Sequence, residues 1–208
     1  KNHTMRTKHG VFLKIPRASG NFTLIKLVTQ FQYLGATVSY YNFERATALA
    51  RIKASEKVSQ QLHRWLHAQR SLNSHQKCRL WQQCVYACMR YGLITVGLTP
   101  FSVQQIFSAS LRQLRRIHRE PPHLYKTTHE EFLEQHQLAH PLLILRDLCL
   151  QADARDQARR AHLQADDILF RMPTVDYQQR CQVIDDFLLQ NRNRRQDLEV
   201  LTPEAQHI

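Results

Sequence analysis

The sequence predicts a mainly α-helical protein with a small antiparallel β-hairpin or sheet at its N-terminus. Three observations predict it. Up to Tyr41, Val, Ile, Phe, Tyr and Thr dominate short runs broken by Gly and Pro, which is strand composition. From Asn42 onward apolar residues recur every three to four positions, the period of a helix with one buried face. Of the five glycines only Gly92 and Gly97 lie beyond position 35, so little interrupts a helical chain.

Residues 11–15 form the first expected strand, closed by Pro16 and the turn residues Ala18-Ser19-Gly20-Asn21. Residues 22–28 and 31–41 follow as β-rich runs, with Thr29-Gln30 as the expected tight connection of a hairpin. The first helix is expected over 43–69. Ala48, Ile52, Ser55, Ser59, Leu62 and Leu66 define its buried face, with Lys53, Lys57, Gln60 and Arg64 opposite. A second helix starts at Ser74 as N-cap and passes Leu80, Trp81, Val85 and Met89 to end at Tyr91-Gly92. The third opens at Thr99-Pro100, a capping residue followed by Pro at the first helical position. Ile106, Phe107, Leu111, Leu114 and Ile117 mark its inner side, while Arg112, Arg115, Arg116 and Arg119 line the other.

Pro121-Pro122 breaks the chain where the charge balance changes, and a boundary is expected there. Thr128-x-x-Glu131 is a capping box opening a short helix. Pro141 starts another helix that runs through Leu145, Leu148 and Leu150 into Arg160. Further helices are expected over 162–171 and 176–194, with a polar, frayed tail after Gln196. The organisation is therefore 1–40, β-rich; 41–120, basic and helical; and 121–208, a helical extension.

The net charge of +12 is unevenly placed. Residues 1–120 hold 19 Lys and Arg against 3 Asp and Glu, whereas residues 121–208 hold 10 against 14. The first region is built to face a polyanion. Twelve histidines add to the charge of the whole chain below about pH 6.5. No apolar run approaches the roughly 20 residues of a membrane helix, and no signal-peptide pattern opens the chain. Five irregularly spaced cysteines argue against a disulfide framework and for a reducing compartment, nuclear or cytoplasmic. Lys1 at the start points to a segment of a longer polypeptide.

Candidate chemistry is sparse. Asp166-Asp167 and Asp185-Asp186 are paired carboxylates in helical context and read as surface acids. His63/His67 and Cys84/Cys88 each stand at i, i+4, but the Cys-x2–4-Cys loop of a structural zinc site is missing. The expected roles are surface residues for the histidines and small buried residues for the cysteines. A Gly-rich phosphate loop and a nucleophile elbow are also missing.

Phe31-Gln32-Tyr33-Leu34-Gly35 carries the most specific signal. Set in β context and feeding a helix, it resembles the Phe-Lys-Tyr-Leu-Gly primer-grip run of non-LTR (LINE-like) retrotransposon reverse transcriptases, with Gln32 replacing Lys. Other landmarks follow in that family's order. Lys1 and Met5 resemble a Lys-Thr-x-x-(Met/Leu) stretch, with Asn2 in place of Thr. Residues 52–65 resemble the first thumb helix. Leu80-Trp81 and residues 85–92 resemble Leu-Tyr…Val-x-Pro-x-Leu-Leu-Tyr-Gly, with Ala87 for Pro and Arg90 for Leu. The likeness continues through Leu111 and Leu114-Arg115-Arg116-Ile117 and covers roughly two-thirds of the chain.

The resemblance implies a palm edge and primer grip over 1–40 and a thumb over 41–120. It implies an RNA–DNA template–primer duplex as partner, with Lys53, Lys57, Arg64, Arg112, Arg115, Arg116 and Arg119 on its phosphates. The catalytic carboxylates and their Mg would belong to an upstream palm of the same polypeptide, and no cofactor is expected within this segment. Two other readings stay open: a stand-alone basic helical nucleic-acid-binding module, and a helical scaffold whose basic face meets an acidic protein. An open hairpin edge would also favour aggregation of the isolated segment.

Overall fold

The computed structural model describes residues 4–17, 20–39, 41–68, 72–125, 127–163 and 175–201, with backbone alone for 194–201. It is mainly α-helical with small antiparallel sheets at the N-terminus, as the composition predicts.

Strands β1 (Thr4–Thr7), β2 (Gly10–Pro16) and β3 (Phe22–Leu27) form a three-stranded sheet in sequence order. Strands β4 (Gln30–Tyr33) and β5 (Ala36–Ser39) form a separate pair. This corrects the expected hairpin at Thr29-Gln30. The β3 strand pairs back to β2 with Leu13 opposite Ile25, while the 31–41 run folds on itself, placing Tyr33 opposite Ala36. In the larger sheet, pairings of Val11 with Leu27 and Leu13 with Ile25 gather aliphatic residues on one face. Ile15, Ile25 and Leu27 on that face remain exposed.

The expected first helix is divided: α1 (Phe43–Gln61) and α2 (His63–His67) meet at Leu62, which leaves helical geometry with ψ 9°. Neither Gly nor Pro marks this break. The carbonyls at the end of α2 are held by cationic side chains instead. Lys77 Nζ donates to the Ala68 carbonyl at 2.7 Å and Arg119 Nη2 to that of His67 at 3.0 Å, which satisfies helix-end acceptors. Ala48, Ile52, Ser55, Ser59 and Leu66 are buried, as the periodicity predicts.

The next helical stretch is α3 (Ser74–Leu80), a π-helical turn (Trp81–Tyr86) and α4 (Ala87–Arg90). Its N-cap is Asn73 rather than Ser74. The Asn73 side chain accepts from the Gln76 amide at 2.8 Å, and Gln76 Oε1 accepts from the Asn73 amide at 3.1 Å. The π turn shifts the helical phase, so Trp81, Val85, Tyr86 and Met89 face inward while Cys84 is exposed and Cys88 half-buried. The expectation of two buried cysteines is corrected by that change of phase.

A short helix, α5 (Leu93–Val96), leads to α6 (Pro100–His118), capped by Thr99 and Ser102 in a capping box. Helices α7 (His129–Gln135), α8 (Pro141–Arg160) and α9 (Tyr177–Leu201) follow. Thr128 and Glu131 form the predicted capping box of α7. The last helix continues past Gln196, where fraying was expected. The expected 162–171 helix and Asp166-Asp167 lie outside the described residues.

Helix α6 ends at His118, shortly before the Pro121-Pro122 break, but the core continues across it. Ile106, Leu114 and Val85 share one cluster with Phe132, Leu142, Leu145 and Ile184. Tyr86 donates its hydroxyl proton to the Pro141 carbonyl, and Arg180 Nη2 donates to the Thr95 carbonyl at 3.0 Å. A polar thread crosses the same core: Trp81 Nε1 donates to Gln113 Oε1 at 2.8 Å, and Gln113 Nε2 to Ser55 Oγ at 3.4 Å. Among the described residues no helix is long and apolar enough to cross a membrane.

Candidate nucleic-acid interface

The β4–β5 hairpin turns at Leu34-Gly35, both with positive φ (47° and 84°), as a two-residue primed turn requires. A Cβ on Gly35 would sit 3.0 Å from Arg51 Nη1 and 3.0 Å from Tyr91 Cε1. The Arg51 guanidinium lies 4.9 Å from the centre of the Tyr91 ring, and its Nε donates to the Cys88 carbonyl at 3.1 Å. The turn is thus seated on a cation–aromatic pair, and a side chain at position 35 would be strained at this positive φ and would press on both partners.

Thr47 fastens the hairpin backbone to α1. The Thr37 amide donates to Thr47 Oγ1 at 3.0 Å, and the Thr47 hydroxyl donates to the Thr37 carbonyl at 3.3 Å. Register places Gln32 opposite Thr37 and Phe31 opposite Val38. Gln32 and Thr37 therefore share one face of the hairpin, with Phe31, Tyr33 and Val38 on the other, and Phe31, Gln32 and Thr37 border a cleft with Ala46, Leu49 and Ala50 of α1. Phe31 is 52% and Tyr33 62% exposed, so they are not core aromatics but an outward platform. Leu34, at the tip, is exposed as well.

The predicted cations divide into three groups. Lys53, Lys57, Arg64, Arg112 and Arg116 are exposed, and none forms an ion pair among the described residues. Arg112 and Arg116 line a groove of about 190 Å³ between α6 and the α1–α2 turn, with Gln60, His63 and His67 across from them. Buried Ser59 and Gln113 lie beneath, and Glu56 is the one carboxylate at the groove among the described residues. Lys53 and Lys57 stand further round α1, outside this groove. Burial, reinforced by His63 and Arg116, holds His67 below the usual imidazole range, so it enters the groove as a neutral hydrogen-bonding group.

Arg119 forms the second group: exposed, but donating to the end of α2 as described above. Arg115 forms the third, and here the sequence reading is corrected. Arg115 is 2% exposed. Its Nη1 donates to Thr127 Oγ1 at 3.2 Å, and its Nη2 donates to the Thr127 and Thr128 carbonyls at 2.8 and 2.9 Å. Its guanidinium lies 4.6 Å from the Phe132 ring centre. The reason is angular: Arg115 follows Leu111 by one turn, at the border of the apolar stripe, where the chain after Pro121-Pro122 folds back over it.

Sequence reasoning missed a polar cluster behind this face. Cys78 Sγ lies 3.2 Å from His118 Nε2, the His118 and His136 rings are 3.9 Å apart, and His136 Nε2 lies 2.9 Å from Glu120 Oε1. Burial pushes Cys78 up to about 11, and burial with His136 pushes His118 down to about 4. Both are neutral near pH 7, so the thiol is not an activated nucleophile. Cys78 and His136 are far in sequence from His118 and Glu120, and the set carries no spacing that could have announced it.

The acids behave as helix-surface groups. Asp185 accepts from Arg146 Nε at 2.8 and 3.0 Å, and Asp186 from Gln182 at 2.7 Å. Among the described residues no group of three or more His, Cys, Asp or Glu could hold a metal ion. The His63 and His67 rings lie 4.8 Å apart at the groove. No protein-family model, curated protein or solved structure matches the chain.

Proposed function

We propose that this chain is the primer-grip and thumb part of an RNA-directed DNA polymerase, similar to those of non-LTR retrotransposons. It clamps the RNA–DNA template–primer duplex and aims the primer end. The observation that carries the reading is the distribution of unpaired charge. Lys53, Lys57, Arg64, Arg112 and Arg116 are exposed without carboxylate partners, whereas every ion pair among the described residues falls at position 120 or beyond. Unpaired cations on adjoining helices attract phosphates by counterion release and do not read bases. A near-A-form hybrid suits such contacts.

Two further features support it. The hairpin directs Phe31 and Tyr33 outward from a stiffly held turn, which suits a platform for a primer end. The larger sheet leaves aliphatic residues uncovered, as a palm edge awaiting the rest of its palm would. A stand-alone binding module is the second reading, favoured by the core that runs unbroken from α1 to α9.

Binding of the chain to an RNA–DNA hybrid, followed across salt concentrations, is the test. A steep salt slope that decreases by about one per cation for Arg112→Ala and Arg116→Ala is expected. Weak, salt-insensitive binding would refute both nucleic-acid readings. In a polymerase that includes the palm, Tyr33→Ala should harm primer extension more than duplex affinity. Equal effects would favour the stand-alone module.

A further inference from the structure

A second cleft opens on the far side of the Arg112–Arg116 ridge, between α6 and Pro121, Pro122, Leu124 and His129. It encloses about 700 Å³, the size of a small-ligand site. Its floor is apolar, built from Leu111, Pro121, Pro122 and Leu124. Leu124 is 69% exposed there instead of packing on the core. The rim is cationic, with Arg112, Arg116 and Arg119 exposed along one turn-spaced row. Arg115 forms part of the wall, and its Nε is buried without a hydrogen-bond partner although both terminal nitrogens are occupied. No carboxylate lines the cleft among the described residues.

We infer that this cleft holds an unpaired nucleotide at the end of a bound duplex, with the base on the apolar floor and its phosphate on the arginine rim. The inference rests on the duplex-clamping reading and names what lies beyond the duplex. A free anion would leave the apolar floor unused, and an apolar ligand would leave the free guanidinium groups of Arg112 and Arg116 unused. A nucleotide uses both, because its base has a sequence-independent apolar face and its phosphate accepts the guanidinium fork. Arg112 and Arg116 line both this cleft and the groove toward α1. A ligand with repeating anions can cross that ridge and occupy both sides. An acidic peptide with apolar residues is the rival occupant.

The test uses the whole chain and three fluorescent probes: a blunt RNA–DNA hybrid, the hybrid with a two-nucleotide overhang at either end, and the hybrid with an abasic overhang. The overhang should tighten binding roughly tenfold, the order expected for covering one base, and the abasic overhang should return affinity to that of the blunt hybrid. Leu124→Ser and Pro122→Ser should each abolish the gain and leave blunt-hybrid affinity intact. Arg116→Ala should weaken every probe. Circular dichroism shows which variants are folded, and the two surface substitutions serve as independent checks of each other. Equal affinity for abasic and intact overhangs overturns the inference, as does a gain that survives both substitutions. Displacement of the overhang gain only by an acidic, leucine-containing peptide, with no competition from free oligonucleotide, assigns the cleft to a protein and also overturns it. If single-stranded oligonucleotide binds and blunt hybrid does not, the duplex clamp fails while the nucleotide cleft stands.

Discussion

Arg115 and Arg116 are adjacent, chemically identical and opposite in role, and replacing each by Ala separates structure from binding. Removing the Arg115 side chain deletes three hydrogen bonds and leaves the Thr127 and Thr128 carbonyls without their guanidinium donor. Thr127 is half-buried and the Thr128 carbonyl keeps the Phe132 amide as a donor, so the lost hydrogen bonds together cost about 1–3 kcal/mol, and the lost contact with Phe132 adds about 1 kcal/mol. These terms share one side chain and are not additive, so Arg115→Ala is expected to cost about 2–4 kcal/mol. That is a large part of a typical domain's stability. Arg116 is exposed and pairs with no acid, so Arg116→Ala should cost about 0.5 kcal/mol or less. Urea unfolding is the assay, read through Trp81, which is 3% exposed and bonded to Gln113. The salt slope for a hybrid, measured on the folded proteins, completes it: Arg116→Ala should lower the slope by about one and Arg115→Ala should leave it unchanged. An Arg115→Ala protein of undiminished stability with a reduced slope would refute the reasoning, because Arg115 would then stand on the surface.

Thr47→Val removes both hydrogen bonds that fasten the hairpin to α1; the expected cost is about 1–2 kcal/mol, with faster exchange of the Thr37 amide. Gly35→Ala places a Cβ against Arg51 and Tyr91 at positive φ, so a cost of about 1–3 kcal/mol and earlier proteolysis within residues 30–39 are expected. The His118 imidazole is held down to about 4 by burial and His136, so the unfolded chain takes up the proton first as pH falls. Stability should be fully present above about pH 6.5 and should decline toward pH 4. His118→Gln should flatten that part of the urea-midpoint profile, and an unchanged profile would exclude His118 as its source.

Much of the fold was readable because short-range rules govern it. The Thr99-Pro100 start of α6 and the Thr128–Glu131 capping box are set by backbone donors within one turn. The buried face of α1 follows from period alone. The misplaced features depended on partners distant in sequence. The chain after Val28 could pair back to β3 or fold on itself, and composition does not choose; the positive-φ turn at Leu34-Gly35 and the Thr37–Thr47 contact go with the second arrangement. The π turn at Trp81–Tyr86 has no residue signature, so the exposure of Cys84 could not be read.

The interface divides the same way. By itself the sequence determined that residues 1–120 carry an excess of positive charge and that Lys53, Lys57, Arg112 and Arg116 lie on polar helix faces, since charge and helical period are local properties. Only the tertiary structure decided which cations remain free. Arg115 sits close enough to the apolar stripe for residues 127–132 to bury it, Arg119 is drawn to the end of α2, and α1 and α6 meet so that His67 and Arg116 line one groove. A guanidinium is available to a phosphate only when no nearby carbonyl claims it, and which carbonyls are near is settled by how the chain returns upon itself.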